Sequence, residues 1–398
     1  MGKRGIEGIV LLLLAALPAR GADRDSIGRD ILPRVEIGLR PAYLLPTSPY
    51  FKGEYTQGKP AEATFSGHLR CGFRFGPATR LGQLYPHAVQ GLGIGYHTFF
   101  NPEEIGTPLS VYVFQSSRLS ELNNCLSIDY EWNFGISTGW KKYDPNVNPH
   151  NLVVGSKANA YIHLGMLLDW ELSPTLNVKA GVGVTHFSNG NTQLPNAGVN
   201  TVGSHFGLVW KLVPEPVGQR PLPTVRFQRH FTYDVSLYGA TRKKGFLWED
   251  GPAVIVPGSF AVCGMNISSL WNISKYFRTG LSLDAQFDES ANIFSHVVNP
   301  NSTSEDVRFH RPPFREQFAV GISARAEIVM PIFAINIGVG RNLFCKGPDT
   351  DSFYQIFALK TAVTRNLFVH IGYQLYKFKM PNNLMLGLGW RFNARRQR

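Results

Sequence analysis

The chain has 398 residues, a formal net charge of +12, 43% hydrophobic residues and only 17% charged residues. This balance, with 40 glycines and 27 phenylalanines, excludes a disordered protein and favours strands and turns. The four cysteines, Cys71, Cys125, Cys263 and Cys345, lie far apart and form no C-x-x-C pair. They allow one or two disulfide bonds but exclude a disulfide framework.

The first element of the chain is a short apolar segment with the features of an export signal. Residues 9–17 read IVLLLLAAL, with Lys3 and Arg4 before them and small residues near position 21. This pattern predicts a secretory signal peptide over residues 1–21, because the apolar run is too short to span a membrane. No later segment offers the roughly 18 to 20 apolar residues of a membrane-spanning helix. A soluble exported β protein and an outer-membrane β-barrel both remain possible.

Strand-like segments recur between clusters of turn residues from residue 22 onward. Residues 317–328, for example, read QFAVGISARAEI, so that an apolar residue alternates with a small or charged one. About sixteen such segments begin near Val35, Ala63, Val89, Leu109, Cys125, Ala158, Leu176, Thr201, Phe231, Gly258, Tyr276, Gln317, Ile332, Phe353, Leu367 and Asn383. In a soluble sandwich the outward face would be rich in Lys, Glu and Thr, whereas in a membrane barrel the apolar face meets lipid.

The connections between these segments are long on one side and mostly short on the other. Residues 144–157 and 288–315 are long and polar, while residues 173–174 and 364–365 are short. The connections near Gly76 and Pro214 are exceptions, because they are long although they fall on the side with the short connections. Since outer-membrane barrels have long outer loops and short inner turns, the sequence predicts an all-β fold: one transmembrane antiparallel β-barrel of about 12–16 strands over residues 22–398.

One constellation of polar residues has the pattern of a catalytic site. Residues 176–200 read LNVKAGVGVTHFSNGNTQLPNAGVN, and His186 and Ser188 continue the apolar, lipid-facing row of their strand. Asn200 is in phase with the apolar row of the next strand, so all three can meet on the outside of a hairpin. A His that takes a Ser proton while an amide orients the ring is the arrangement of nucleophilic acyl transfer. The alternative is a set of interfacial polar residues followed by a turn.

The string His186-Phe187-Ser188-Asn189, followed by Pro195-Asn196 and Gly198, resembles the signature of the outer-membrane lipid A 3-O-deacylase (PagL) family and its acyloxyacyl hydrolase-like relatives. The resemblance spans about residues 148–212. It implies Ser188 as the nucleophile, His186 as the general base and Asn189 as a candidate oxyanion-hole donor. Asn200 stands where the family typically has an acidic residue, and an amide cannot stabilise an imidazolium as a carboxylate does.

The resemblance also implies where the protein acts and on what. It implies a serine esterase of the bacterial outer membrane that hydrolyses an acyl ester of lipid A in the lipopolysaccharide of the outer leaflet, with no metal or organic cofactor. The basic residues are spread rather than striped, which argues against nucleic acid as a partner and suits attraction to lipopolysaccharide phosphates. The chain is longer than the eight-stranded barrel typical of the family. The alternative function is a non-catalytic porin or transporter barrel with a vestigial motif.

Overall fold

The computed structural model describes residues 31–53, 58, 60–215, 227–247, 253–299, 306–378 and 380–392. The predicted signal peptide, residues 1–21, lies outside this part of the chain. The described residues form eighteen β-strands and four short helices, and sixteen of the strands close into two separate antiparallel barrels. None of the helices in the described part is long and apolar enough to cross a membrane.

The first barrel consists of eight consecutive strands, each antiparallel to its neighbours, and β8 pairs with β1 to close the ring. Its strands are β1 (Ile31–Leu44), β2 (Ala63–Phe75), β3 (Val89–Thr98), β4 (Gly106–Glu121), β5 (Leu126–Trp140), β6 (Ala158–Ser173), β7 (Leu176–Ser188) and β8 (Val199–Lys211). A 3-10 helix (Pro49–Lys52) lies between β1 and β2, and α1 (Arg80–Leu84) lies between β2 and β3.

The second barrel also has eight strands, and β18 pairs with β9 to close it. Its strands are β9 (His230–Arg242), β12 (Phe260–Asn272), β13 (Phe277–Asp288), β14 (Phe318–Val329), β15 (Phe333–Phe344), β16 (Phe353–Ala362), β17 (Leu367–Tyr376) and β18 (Met380–Phe392). The short strands β10 (Gly245–Leu247) and β11 (Ala253–Ile255) form a hairpin after β9. A 3-10 helix (Ile293–His296) and α2 (Phe314–Gln317) lie between β13 and β14.

The predicted fold class is confirmed, because the protein is built of closed antiparallel β-barrels with strands near all sixteen predicted starts. The expectation of one barrel is corrected: the sixteen strands close as two rings of eight. Alternation is the same in every strand and does not tell which strands pair at a closure. The long connection near Pro214, which broke the long-and-short pattern, joins the two rings. The other exception, near Gly76, contains α1.

The apolar row of each strand faces outward, as the alternation predicts. In β13 the side chains of Leu281 and Leu283 are 58% and 52% exposed, whereas Ser282 between them is 1% exposed. A barrel with this arrangement presents hydrocarbon to the bilayer and keeps its polar groups inside. All four cysteines are free thiols.

Paired charges fill the interior of the first barrel. Glu131 accepts from Arg40 at 2.7 Å and from Arg70 at 2.5 Å, and Arg70 also pairs with Glu36. All four side chains are at least 94% buried. An eight-stranded barrel has an interior just wide enough for side chains. These ion pairs therefore form a polar core that occupies the space where a channel would run.

The second barrel has a corresponding polar core of its own. Asp234 lies 3.0 Å from Lys360 and 2.7 Å from Arg391, and Lys360 also lies 2.6 Å from Glu327. Arg325 donates to Asp284 at 2.7 Å. Each buried charge thus has an opposite partner, which offsets the cost of its removal from water.

Candidate active site

The outer surface of the first barrel carries the predicted polar residues at the end of β7. Val182 and Val184 are 61% and 49% exposed, and His186 and Ser188 follow on the same side of the strand. Phe187 points to the opposite side and is 3% exposed. Strand β8 places Asn200 directly opposite His186. The side chains that the alternation predicted to share a face therefore do so.

His186 forms hydrogen bonds with both predicted partners. Its Nε2 lies 2.9 Å from Ser188 Oγ, and its Nδ1 lies 2.7 Å from Asn200 Oδ1. Because Asn200 Oδ1 can only accept, it favours the tautomer that carries its proton on Nδ1. The lone pair of Nε2 then faces the Ser188 hydroxyl. This is the orientation in which an imidazole can act as a general base.

Aromatic packing inside the barrel holds the strand end that bears these residues. The Phe187 ring lies 5.0 Å from the Trp140 ring, 5.4 Å from Tyr161 and 5.2 Å from His97, measured between centroids. The contacts with Trp140 and His97 are edge-to-face, a geometry that fixes ring orientation as well as burying apolar surface. The packing of Phe187 inside therefore limits the movement of His186 and Ser188 outside.

The connection between β7 and β8 is held by the asparagine of the P-N-x-G string. The backbone N–H of Asn189 donates to Asn196 Oδ1 at 3.1 Å, and Asn189 is only 5% exposed. That backbone donor is therefore engaged within the loop. The role of Asn189 as an oxyanion-hole donor stays a prediction.

Gly198 is required at its position for two reasons. Its φ of +76° lies in the left-handed region, and a Cβ there would lie 3.1 Å from His186 Cε1. If Ser188 and His186 act as nucleophile and base, Gly198→Ala should lower the rate of ester hydrolysis about tenfold or more, because the added methyl group displaces the imidazole. Gly58→Ala is the control, since Gly58 also has a positive φ (+63°) but no atom of the described residues lies within 4 Å of its Cβ position. Equal rates for both variants would contradict this role.

The structure adds one residue that the sequence did not reveal. Thr47 Oγ1 accepts from Asn200 Nδ2 at 3.4 Å, and the backbone N–H of Leu45 donates to Asn200 O at 2.9 Å. The connection after β1 thus supports Asn200 from behind. Thr47 and Asn200 lie 153 positions apart and meet only because β8 closes on β1, so no spacing in the sequence could show it.

A group of potential metal ligands lies inside the first barrel, away from this site. Ligand atoms of Glu131, His163 and His205 lie within 4.8 Å of one another. Arg40 and Arg70 already donate to the Glu131 carboxylate, and their positive charges oppose a cation. The group therefore fits the polar core better than a metal centre.

The barrels, their outward apolar rows and the hydrogen-bonded polar cluster define a β-barrel protein of the bacterial outer membrane. Two family models match its sequence. The lipid A 3-O-deacylase (PagL) model matches residues 119–209, which include His186, Ser188 and Asn200. The model of the C-terminal domain of acyloxyacyl hydrolase matches residues 231–394, a range that covers nearly all of the strand residues of the second barrel. Each barrel is thus similar to a family model of the PagL group, and both models describe acyl hydrolases.

Comparison with solved structures gives several outer-membrane barrels. The siderophore receptor PirA from Pseudomonas aeruginosa is 10% identical, with 94% of this chain and 81% of that chain covered and a TM-score of 0.23. The translocator domain of the autotransporter NalP from Neisseria meningitidis is 8% identical, with 98% and 96% covered and a TM-score of 0.17. A Rhodopseudomonas blastica porin is 9% identical, with 91% and 100% covered and a TM-score of 0.18. These scores are too low to carry an argument. A comparison with curated proteins gives no match.

Proposed function

We propose that the protein is a serine esterase that hydrolyses an acyl ester of lipid A with Ser188, His186 and Asn200 on the lipid-facing surface of its first barrel. The observation that carries the proposal is the continuous series of hydrogen bonds from Ser188 Oγ through the His186 ring to Asn200 Oδ1. The match of residues 119–209 to the lipid A 3-O-deacylase model supports lipid A as the substrate.

The position of the cluster suits a lipid substrate. The exposed valines of β7 lead along the outward row to His186 and Ser188, so an acyl chain that lies along the barrel wall brings its ester to the hydroxyl. Polar side chains on the lipid-facing side of a membrane barrel are unfavourable in free energy, and a catalytic role gives a reason for their presence there. The substrate need not leave the membrane to reach the site.

The proposed reaction proceeds in two transfers. His186 Nε2 accepts the Ser188 proton as Oγ attacks the ester carbonyl carbon, and nearby amides donate to the oxyanion. The protonated ring then gives its proton to the departing sugar oxygen, which leaves an acyl group on Ser188. Water attacks this acyl group while His186 accepts a proton from it. Return of that proton to Ser188 Oγ releases the fatty acid and restores the enzyme.

Asn200 limits the rate in this scheme because its amide is neutral. It orients the ring, but it adds no charge to balance the imidazolium that forms in each transition state. We expect Asn200→Asp to raise the turnover number about tenfold, and Asn200→Ala to lower it, in assays of fatty acid release from purified lipid A. A carboxylate variant slower than the natural protein would contradict an orienting role for Asn200.

Mass spectrometry of lipid A tests the proposed function. Cells that express the natural protein should contain lipid A lighter by one acyl chain, and cells that express Ser188→Ala at the same level should not. Loss of an acyl chain in neither culture, with both proteins folded in the outer membrane, would refute the proposal. The buried ion pairs of both barrels give no support to the alternative of a porin.

A further inference from the structure

The second barrel carries a cleft that the proposed chemistry does not use. It lies at the end of the barrel with the long connections, between the β15–β16 and β17–β18 hairpins, and has a volume of about 390 Å³. Two cations, two phenylalanines, a serine and one carboxylate line it: Arg341, Lys377, Phe353, Phe378, Ser352 and Asp351. This composition joins positive charge to apolar rings at the rim of the barrel.

Arg341 interrupts the outward apolar row of β15. Val339 before it and Leu343 after it are 41% and 62% exposed. A charge in such a row is favourable only where lipid headgroups replace hydrocarbon. The Arg341 guanidinium carbon lies 5.5 Å from the centroid of the Phe353 ring, and its ion pair with the exposed Asp351 spans 3.5 Å. An exposed pair of this length is weak, so Arg341 keeps donors for a ligand.

The opposite wall of the cleft is a strained turn held in place by two hydrogen bonds to β16. Lys377 and Phe378 have φ of +51° and +62°, in the left-handed region that non-glycine residues rarely adopt. The Lys377 N–H donates to Phe353 O at 3.1 Å, and the Phe378 N–H donates to Oε1 of the buried Gln355 at 2.8 Å. Fixed strain of this kind clusters at ligand-holding sites. The turn holds the Lys377 side chain and the Phe378 ring exposed beside the cleft.

We propose that this cleft binds a phosphate group on the headgroup of an outer-leaflet glycolipid. Arg341 and Lys377 supply two positive charges against the single carboxylate of Asp351, and guanidinium donors match phosphate oxygens in geometry. The rings of Phe353 and Phe378 cover the apolar side of the same ligand. The site would bind a phosphorylated lipid A molecule by a surface separate from Ser188.

Native mass spectrometry of the full chain in detergent tests this site. The Ser188→Ala background prevents hydrolysis of the probe, so the result does not depend on the proposed function. Titration with diphosphoryl lipid A should show a bound lipid whose affinity falls at least tenfold in Arg341→Gln/Lys377→Gln. Lys275→Gln is the matched control, because its ammonium also lies over a ring, 4.8 Å from Tyr276, at the short-turn end of the same barrel. That control should bind as before.

Two further measurements separate the possible ligands. Fully dephosphorylated lipid A should bind the Ser188→Ala protein at least tenfold more weakly than diphosphoryl lipid A does. Asp351→Asn should raise the affinity for diphosphoryl lipid A several-fold, because it removes the competing carboxylate. Equal binding by the double variant and the control would overturn the proposal. So would equal binding of dephosphorylated lipid A, or displacement of the lipid by millimolar inorganic phosphate, which would indicate a site for the free ion.

Discussion

Replacement of His186 by alanine is expected to lower the rate of lipid A deacylation about 10⁴-fold. The imidazole is the base that lies within hydrogen-bond distance of Ser188 Oγ, at 2.9 Å, and an uncharged serine hydroxyl is a weak nucleophile. Removal of one member of such a unit costs nearly as much as removal of the whole unit. The measurement is the initial rate of fatty acid release from purified lipid A in detergent.

The control for this variant is His150→Ala. His150 is an exposed histidine in the connection between β5 and β6, on the same barrel, and its replacement leaves the hydrogen bonds of His186 in place. We expect it to retain the natural rate. His186→Ala combined with Ser188→Ala should be no slower than Ser188→Ala alone. A His186→Ala protein that is folded and keeps more than a tenth of the natural rate would show that another group is the base.

Replacement of Glu131 by alanine is expected to have the largest effect on stability. Glu131 accepts from both Arg40 and Arg70 in the polar core of the first barrel, and all three side chains are at least 95% buried. Without the Glu131 carboxylate, the guanidinium groups of Arg40 and Arg70 stay buried with less negative charge to balance them. Loss of one partner from a buried pair costs about 3–5 kcal/mol. Urea unfolding of the protein in phospholipid vesicles measures this change.

Glu103→Ala is the matched control for this measurement, since Glu103 is an exposed glutamate in the connection between β3 and β4. Its free energy of unfolding should stay within about 0.5 kcal/mol of the natural value. On heating, Glu131→Ala should also change from the electrophoretic mobility of the folded barrel to that of the unfolded chain at a lower temperature than the natural protein. If both variants unfold at the same urea concentration, the ion pairs around Glu131 do not stabilise the barrel.

Much of this architecture follows from the alternation of residues in the sequence. The predicted strand starts lie close to those observed because successive side chains of a strand point to opposite faces of the sheet, so each strand has an alternating sequence, as in β13 and β14. The same alternation predicts that His186 and Ser188 share the outward face of β7 and that Asn200 lies on the outward face of the next strand. In the structure Asn200 is paired with His186 across the two strands. A polar residue at a position where the apolar row of a strand should continue can be recognised in a single sequence, and it indicates a candidate site on the outward face.

The features that the sequence could not supply depend on closure of the rings. Strand alternation does not specify that β8 pairs with β1, so neither the two separate barrels nor the support of Asn200 by Thr47 could be predicted. The alternation predicts polar residues inside the barrel, but which of them form ion pairs could not be predicted, for the same reason. Glu131 and Arg40 are 91 positions apart and meet only across the interior of a narrow barrel.

Covalent labelling of Ser188 tests the central claim most directly. Purified protein treated with a fluorophosphonate, which reacts with activated serines, should lose deacylation of lipid A in proportion to the label, and peptide mass spectrometry should find that label on Ser188. His186→Ala should take up little label, because its serine is not activated. Full deacylation by protein labelled at Ser188, or by folded Ser188→Ala, would contradict a reaction through this serine.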